Sequence, residues 1–318
     1  MRDLLQFFIA GVAAGAIYAL VGLGLVIIYK ATHVLNFAHG ALMMVGAYLT
    51  YQLHAPRHPI QGPPGFAWPY WVAVPAAMAL TGAVGFLIEV LVLRRMRGRP
   101  VFAIIMVTFG LTIVVEQLVT SKWGGDPVSM YDPFGAGILV RVSGVPITKI
   151  DFVTLVAAVA ITGAFLVFFR FSRLGTAMRA TAYDQEAAIA QGISAKKVFG
   201  VSWAISAAIA TVAAVLAAGG PQTLSPNVQF IALAAFPAII LGGVDSTTGA
   251  IVGGLILGVV QQVCFGYEGR EINLFGWHVV LQHYLGSNFH IVLPFVVMVV
   301  ILMFRPYGFF GTKEVRRV

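Results

Sequence analysis

Ionisable side chains are scarce in this chain: 10% of its 318 residues are Asp, Glu, Lys or Arg, against roughly a quarter in an ordinary soluble domain, and 59% are hydrophobic. A water-soluble fold would leave that surplus facing solvent, where contiguous apolar patches beyond a few hundred Å² are rare. Cysteine is nearly missing too. Cys264, set in an apolar run, is the one thiol, which excludes a disulfide framework or a thiolate metal cluster and suits a small buried hydrophobe. No Gly-Lys dipeptide occurs, so the chain lacks the G-x-x-x-x-G-K-S/T loop that would bind ATP. H-E-x-x-H and G-x-S-x-G are likewise absent, which argues against a zinc protease and an esterase. His278, His283 and His290, spaced five and seven apart, read as interfacial polar groups rather than a shared metal site.

What the chain has instead is long uncharged runs. A hydrocarbon core about 30 Å thick needs about 20 apolar residues of helix to cross it. Leu4 to Tyr29, Trp68 to Ile88 and Phe152 to Phe169 carry no charge, and between Lys197 and Glu268 only Asp245 is ionised. The expected fold is all-α: one polytopic membrane domain over residues 1–318, with crossings near 4–29, 40–54, 69–93, 101–120, 151–169, 198–218, 230–244, 248–265 and 289–304. Several of these are short or hold glycine and proline, so one or two are open to being re-entrant or broken, giving eight or nine crossings. The first run is too long for a secretory signal and lacks a positive flank.

The net charge of +8 does not point to nucleic acid, because the cations sit beside helix ends. Lys and Arg are retained on the cytoplasmic side of short loops. With the N-terminus outside, the inner loops hold Lys30, Arg94, Arg95, Arg97, Arg99, Arg170, Arg173, Arg179, Lys196, Lys197, Arg305, Lys313, Arg316 and Arg317, which is 14 of the 20 basic residues. This predicts N-terminus out and C-terminus in. The outer loops, His58 to Pro69 and Trp123 to Pro146, are rich in turn formers and are expected to form compact turns, either as docking surfaces for an extracytoplasmic partner or as lids over helix ends.

Two polar stretches stand out. Ala177 to Lys197, in the longest inner loop (170–198), reads as a short helix with Asp184 and Glu186 near its start and Gly192 at its end, presenting small residues outward to a groove in a partner. An amphipathic linker helix is the alternative. In Tyr29 to Tyr48, the residues Asn36, His39 and Gly40 interrupt an apolar context. A helix broken at membrane depth can offer main-chain groups to a ligand, or the polar side chains can simply satisfy the break. Among the acids, Glu89, five residues before Arg94, is expected either to snorkel or to pair near the inner interface, Glu116 and Gln117 to be solvated near an outer helix end or to line a vestibule, and Asp245 to lie in a tight inner turn.

Glu186, Ala187, Ala188 and Gly192 match the E-A-A-x-x-x-G core of the cytoplasmic coupling loop of ABC importers, although the usual I-x-L-P continuation is missing at Val201 to Ala204. Four segments together resemble the branched-chain amino acid ABC permease family: AIYALVGLGLVIIYKATHVLNFAHG from Ala16, RFSRLGTAMRATAYDQEAAIAQGI from Arg170, AFPAIILGGVDSTTGAIVGGLILG from Ala235 and FRPYGFFG from Phe304. The resemblance implies a multi-pass permease of a bacterial-type cytoplasmic (inner) membrane, embedded in lipid and paired with a second related permease. Two cytoplasmic ATPase subunits would use the ATP, an extracytoplasmic binding protein would deliver the solute, and this chain would bind no cofactor. It also implies that Arg179, Asp184, Glu186, Ala187, Ala188 and Gly192 couple to an ATPase, and that Asn36, His39 and Gly40 lie near the translocation path. Branched-chain or related amino acids are the expected cargo. Urea or short amides, or an ion-coupled secondary transporter, are the alternatives; the last should place paired acids or histidines at mid-membrane.

Overall fold

The computed structural model describes residues 2–59, 62–131, 133–134, 137–142, 144–219, 222–268, 271–274, 277–280 and 286–311, with the strands inside 271–280 described as backbone only. Arg270, His283, Lys313, Arg316 and Arg317, and the side chain of His278, lie outside what is described.

Helix α1 (Arg2–Thr32) runs 31 residues, about 46 Å at 1.5 Å per residue, and so exceeds the hydrocarbon thickness. It stops where Thr32 turns its hydroxyl back to the Ile28 carbonyl and His33 adopts φ +55°. Asn36 Oδ1 then accepts from Ala38 N–H at 2.9 Å, folding the chain into α2 (His39–His54). Prolines start the next two long helices, where no N–H is missed: Pro69 precedes α3 (Tyr70–Leu91) and Pro100 precedes α4 (Val101–Trp123), with a 3-10 turn Leu93–Met96 between. A Thr148/Asp151 capping box opens α5 (Lys149–Phe171). The inner loop holds α6 (Arg173–Tyr183) and α7 (Gln185–Ala190), followed by α8 (Ala195–Ala217). A 3-10 turn Pro226–Gln229 leads into α9 (Phe230–Gly242), and then come α10 (Thr247–Tyr267) and α11 (Phe289–Phe304).

Six helices among the described residues are long and apolar enough to span a membrane: α1, α3 with its 3-10 extension, α4, α5, α8 and α10; α9 with its lead-in turn and α11 are shorter apolar helices. The molecule is a multi-pass helical membrane protein. Interior and periphery separate clearly: the most apolar windows of α1 and α8 are each 78% buried, against 11% for α4 and 17% for α5.

Glycine sets the closest approaches. A Cβ on Gly15 would meet Leu255 Cα at 2.8 Å, and one on Gly258 would collide with Gly15 main chain, so α1 and α10 touch backbone to backbone. The small residues of α10 serve two neighbours, with Gly254 and Gly258 against α1 and Gly249 and Gly253 against α9. On the other side Gly82 faces the Ala204 carbonyl, and Gly85 faces Ala207 and the Trp203 carbonyl, locking α3 to α8.

Two expectations need correction. Residues 177–197 form no single helix: Asp184 leaves helical geometry (φ −152°, ψ 107°) to accept from Ala187 N–H, ending α6 and capping α7. The loops between helices also hold regular structure, as three two-stranded antiparallel sheets among the described residues: β1 (Val128–Ser129) with β4 (Thr223–Leu224), β2 (Ile138–Val142) with β3 (Val145–Thr148), and β5 (Glu271–Leu274) with β6 (Trp277–Val280). Gly144, at φ +84°, makes the β2–β3 turn.

Candidate translocation and coupling sites

The break between α1 and α2 forms part of a cavity of about 200 Å³. Asn36 and Thr32 line it from the break, Glu89 and Arg97 from the end of α3 and the turn after it, Thr108 from α4, Gln185 from α7, and Phe199 and Trp203 from α8. Asn36 is 2% exposed; its carbonyl oxygen serves the break, and its Nδ2 has no partner among the described residues. Trp203 Nε1 is likewise buried without a partner among the described residues.

His39 and Gly40 lie elsewhere. His39 is fully buried where α1, α2 and α8 meet, with Nδ1 at 3.3 Å from Ser206 Oγ. Ser206 donates its only hydroxyl proton to the Gly24 carbonyl at 2.8 Å, so His39 donates from Nδ1, which leaves the neutral ring's Nε2 as a buried acceptor with no partner among the described residues. Gly40 is held against the Gln229 carbonyl, where any Cβ would collide. Of the three residues, Asn36 alone borders this cavity; the other two pack helices together.

Glu89 is 2% exposed and takes two cations, Arg94 Nη2 at 2.8 Å and Arg97 Nη2 at 2.6 Å. The Arg94 partner was legible from the sequence. Arg97 was not, because it reaches back around the 3-10 turn rather than along a helix face.

A second cavity, about 690 Å³, lies beside the far end of α1 and is lined by Lys30, His33, Arg179, Tyr183, Asp245 and Tyr307 among others. Asp245 sits in the α9–α10 turn, as expected. Arg179 bonds the Phe169 carbonyl and Thr176 Oγ1 and lies 5.5 Å from the Phe169 ring centre, so it fastens α6 to α5. Beyond it α7 stands out from the body: Glu186 and Ala187 are exposed, Ile189 is 51% exposed, and Tyr183 just before the helix is 94% exposed. Ala188 turns inward at 4% exposure, so the outward surface is not the run of small residues expected. Gly192, at φ +83°, closes α7 in a left-handed cap, with Ile193 N–H returning to the Ala188 carbonyl.

Loops at the opposite end are fastened to the top of α2. His54 places both ring nitrogens 2.7 Å from main-chain oxygens, Nδ1 to Trp68 and Nε2 to Tyr131, and Trp123 Nε1 donates to Gln52 Oε1 at 2.8 Å. No group of three or more His, Cys, Asp or Glu side chains among the described residues could hold a metal ion.

Residues 7–302 match the family described as branched-chain amino acid transport system / permease component. The chain belongs to that family. The high-affinity branched-chain amino acid transport system permease protein LivH of Escherichia coli (strain K12) is 29% identical over 322 residues, covering 99% of this chain and 97% of LivH. BraD of Pseudomonas aeruginosa, a permease protein of the same description, is 30% identical over 319 residues, covering 99% and 98%. LivM of Escherichia coli (strain K12), also named a permease protein of the branched-chain system, is 25% identical over 84% of this chain and 65% of LivM. A solved structure, PsaBC from Streptococcus pneumoniae in complex with Fab, reaches a TM-score of 0.43 at 16% identity over 96% of this chain and 90% of that one, too slight a superposition to fix the fold.

Proposed function

We propose that this permease carries branched-chain amino acids inward in an ATP-driven importer, in a bacterial-type cytoplasmic membrane. It pairs with a second related permease, takes its solute from an extracytoplasmic binding protein and is driven by two ATPase subunits at its inner face. The observation that carries the reading is the family match over 7–302, and the exposed, doubly capped α7 gives the ATPase a place to push. Glu186 and Ala187, together with Tyr183 and Ile189, form the contact, while Asp184 and Gly192 fix the ends of the helix and Arg179 fixes the segment behind it.

The chain makes nine crossings, α1 to α5 and α8 to α11, with the N-terminus outside and the C-terminus inside. One end of the molecule gathers Lys30 and Arg179 in one cavity and Arg97 in another, and cations held inside are what orient such chains.

The test is uptake by vesicles holding the reconstituted complex. Glu186→Lys should abolish both ATPase association and ATP-dependent leucine uptake. Intact association and uptake in that variant remove α7 from the coupling contact, and uptake that needs an ion gradient but no ATPase replaces the importer with a secondary transporter.

A further inference from the structure

Four side chains and one main-chain carbonyl near the inner end of α3 make a joint that the coupling reading leaves unexplained. Glu89 is buried and holds both Arg94 and Arg97. Arg94 Nη2 also reaches the Lys196 carbonyl at 3.4 Å, and the Arg97 guanidinium lies 4.6 Å from the centre of the Phe199 ring. Lys196 and Phe199 belong to the first turns of α8, directly after α7 and its Gly192 cap. Gly200 completes the fit, since a Cβ there would meet Phe86 Cδ2 at 2.8 Å and approach Glu89 Oε2 at 3.5 Å.

We infer that Glu89 is a positioning residue for energy coupling: through Arg94 and Arg97 it ties the root of α8 to α3, so that a displacement of α7 moves α3 and α8 as one body. The inference rests on α7 being the ATPase contact. Its physical basis is that a carboxylate buried at this depth is held in place by its two cations; with either removed, a charge stays behind in low dielectric, and the joint must open to find water. Arg97 and Gln185 line the same cavity as Asn36, so the joint sits between the pushed helix and the break in α1–α2. The ion pairs fix the 3-10 turn to the end of α3, and that turn reaches the first turns of α8 through the Lys196 carbonyl and the Phe199 ring.

The measurement is the number of ATP molecules hydrolysed per leucine carried, in vesicles holding the complete complex. Glu89→Gln keeps shape and removes charge; it should keep ATPase association and hydrolysis while raising that ratio about tenfold, the range expected when a coupling path loses one element. Phe199→Leu, which removes the aromatic face and spares the ion pairs, should raise it less, by about threefold. Exchanging the charges, Glu89→Arg with Arg97→Glu, should bring the ratio back toward the parent value. An unchanged ratio in Glu89→Gln, or in Phe199→Leu where Glu89→Gln does not assemble, overturns the inference, as does a loss confined to the amount of complex recovered, the signature of a merely structural role. Absence of ATP-dependent uptake by the unsubstituted complex overturns the importer reading and this inference with it.

Discussion

At the scale of single residues, buried polar groups show two different solutions in one apolar bundle. Glu89 and Ser206 are paired inside the chain, whereas Asn36, His39 and Trp203 each keep one polar atom without a partner among the described residues. Glu268, just past the end of α10, belongs with the first kind: its carboxylate accepts from Phe289 N–H at 2.7 Å and faces His290 Nδ1 at 2.6 Å, joining the ends of α10 and α11. Burial pushes its pKa up, but the His290 hydrogen bond, the Phe289 N–H and the charge of the imidazole outweigh that and hold it below the ordinary carboxylate value. A carboxyl whose folded pKa is depressed stabilises the fold above its unfolded pKa, about 4.3 for Glu, and the contribution disappears as pH falls through the lower folded value. Glu268→Gln should therefore melt below the parent at pH 7, with the gap closing as the medium is acidified past pH 4. Melting curves of both proteins in detergent from pH 7 to pH 3 read this directly, and a gap that stays constant removes the ionic role.

At the scale of elements, the helices were legible because length and lack of charge suffice to announce them; α11 was expected at 289–304 and spans Phe289–Phe304. Which helices are interior was not legible. Lipid is as apolar as a helix packing face, so the hydrophobic pattern of exposed α4 looks like that of buried α1, and only small residues mark contact. The split at Asp184 was missed because alanine propensity on both sides argued for one helix, although Asp at a position to cap the next turn was the contrary signal. Between α4 and α5 the abundant turn formers mask the Ile-Leu-Val-Arg-Val run that pairs as β2. The packing marked by glycine has a measurable cost. Gly258→Leu forces side-chain volume into the Gly15 backbone and should destabilise by about 1–3 kcal/mol or more. Gly163→Ala in α5, where a Cβ meets nothing within 4 Å, should be neutral or gain up to ~1 kcal/mol of helix propensity. Thermal unfolding in detergent separates the two, and equal midpoints would show that α1 and α10 do not meet as closely as described.

At the scale of the whole molecule, two glycine-sealed bodies face each other, α3 with α8 and α1 with α9 and α10. They meet where Ser206 of α8 bonds the Gly24 carbonyl of α1 beside His39. The cavity beside Asn36 opens along this division, with Ile28 and Thr32 of α1 on one side and Glu89, Phe199 and Trp203 of α3 and α8 on the other, so relative movement of the bodies would change it. That arrangement delivers work in the right direction only if α7 faces the cytoplasm, which makes orientation the property on which the mechanism turns. The lone cysteine makes it measurable: on a Cys264→Ala background, single cysteines can be placed at Tyr183, before α7, and at Arg141, in β2, both exposed. In intact cells a membrane-impermeant maleimide should label Arg141→Cys and spare Tyr183→Cys until the membrane is opened. The reverse pattern would put α7 on the wrong side for a cytoplasmic ATPase, and no arrangement of the two bodies could then transmit its stroke.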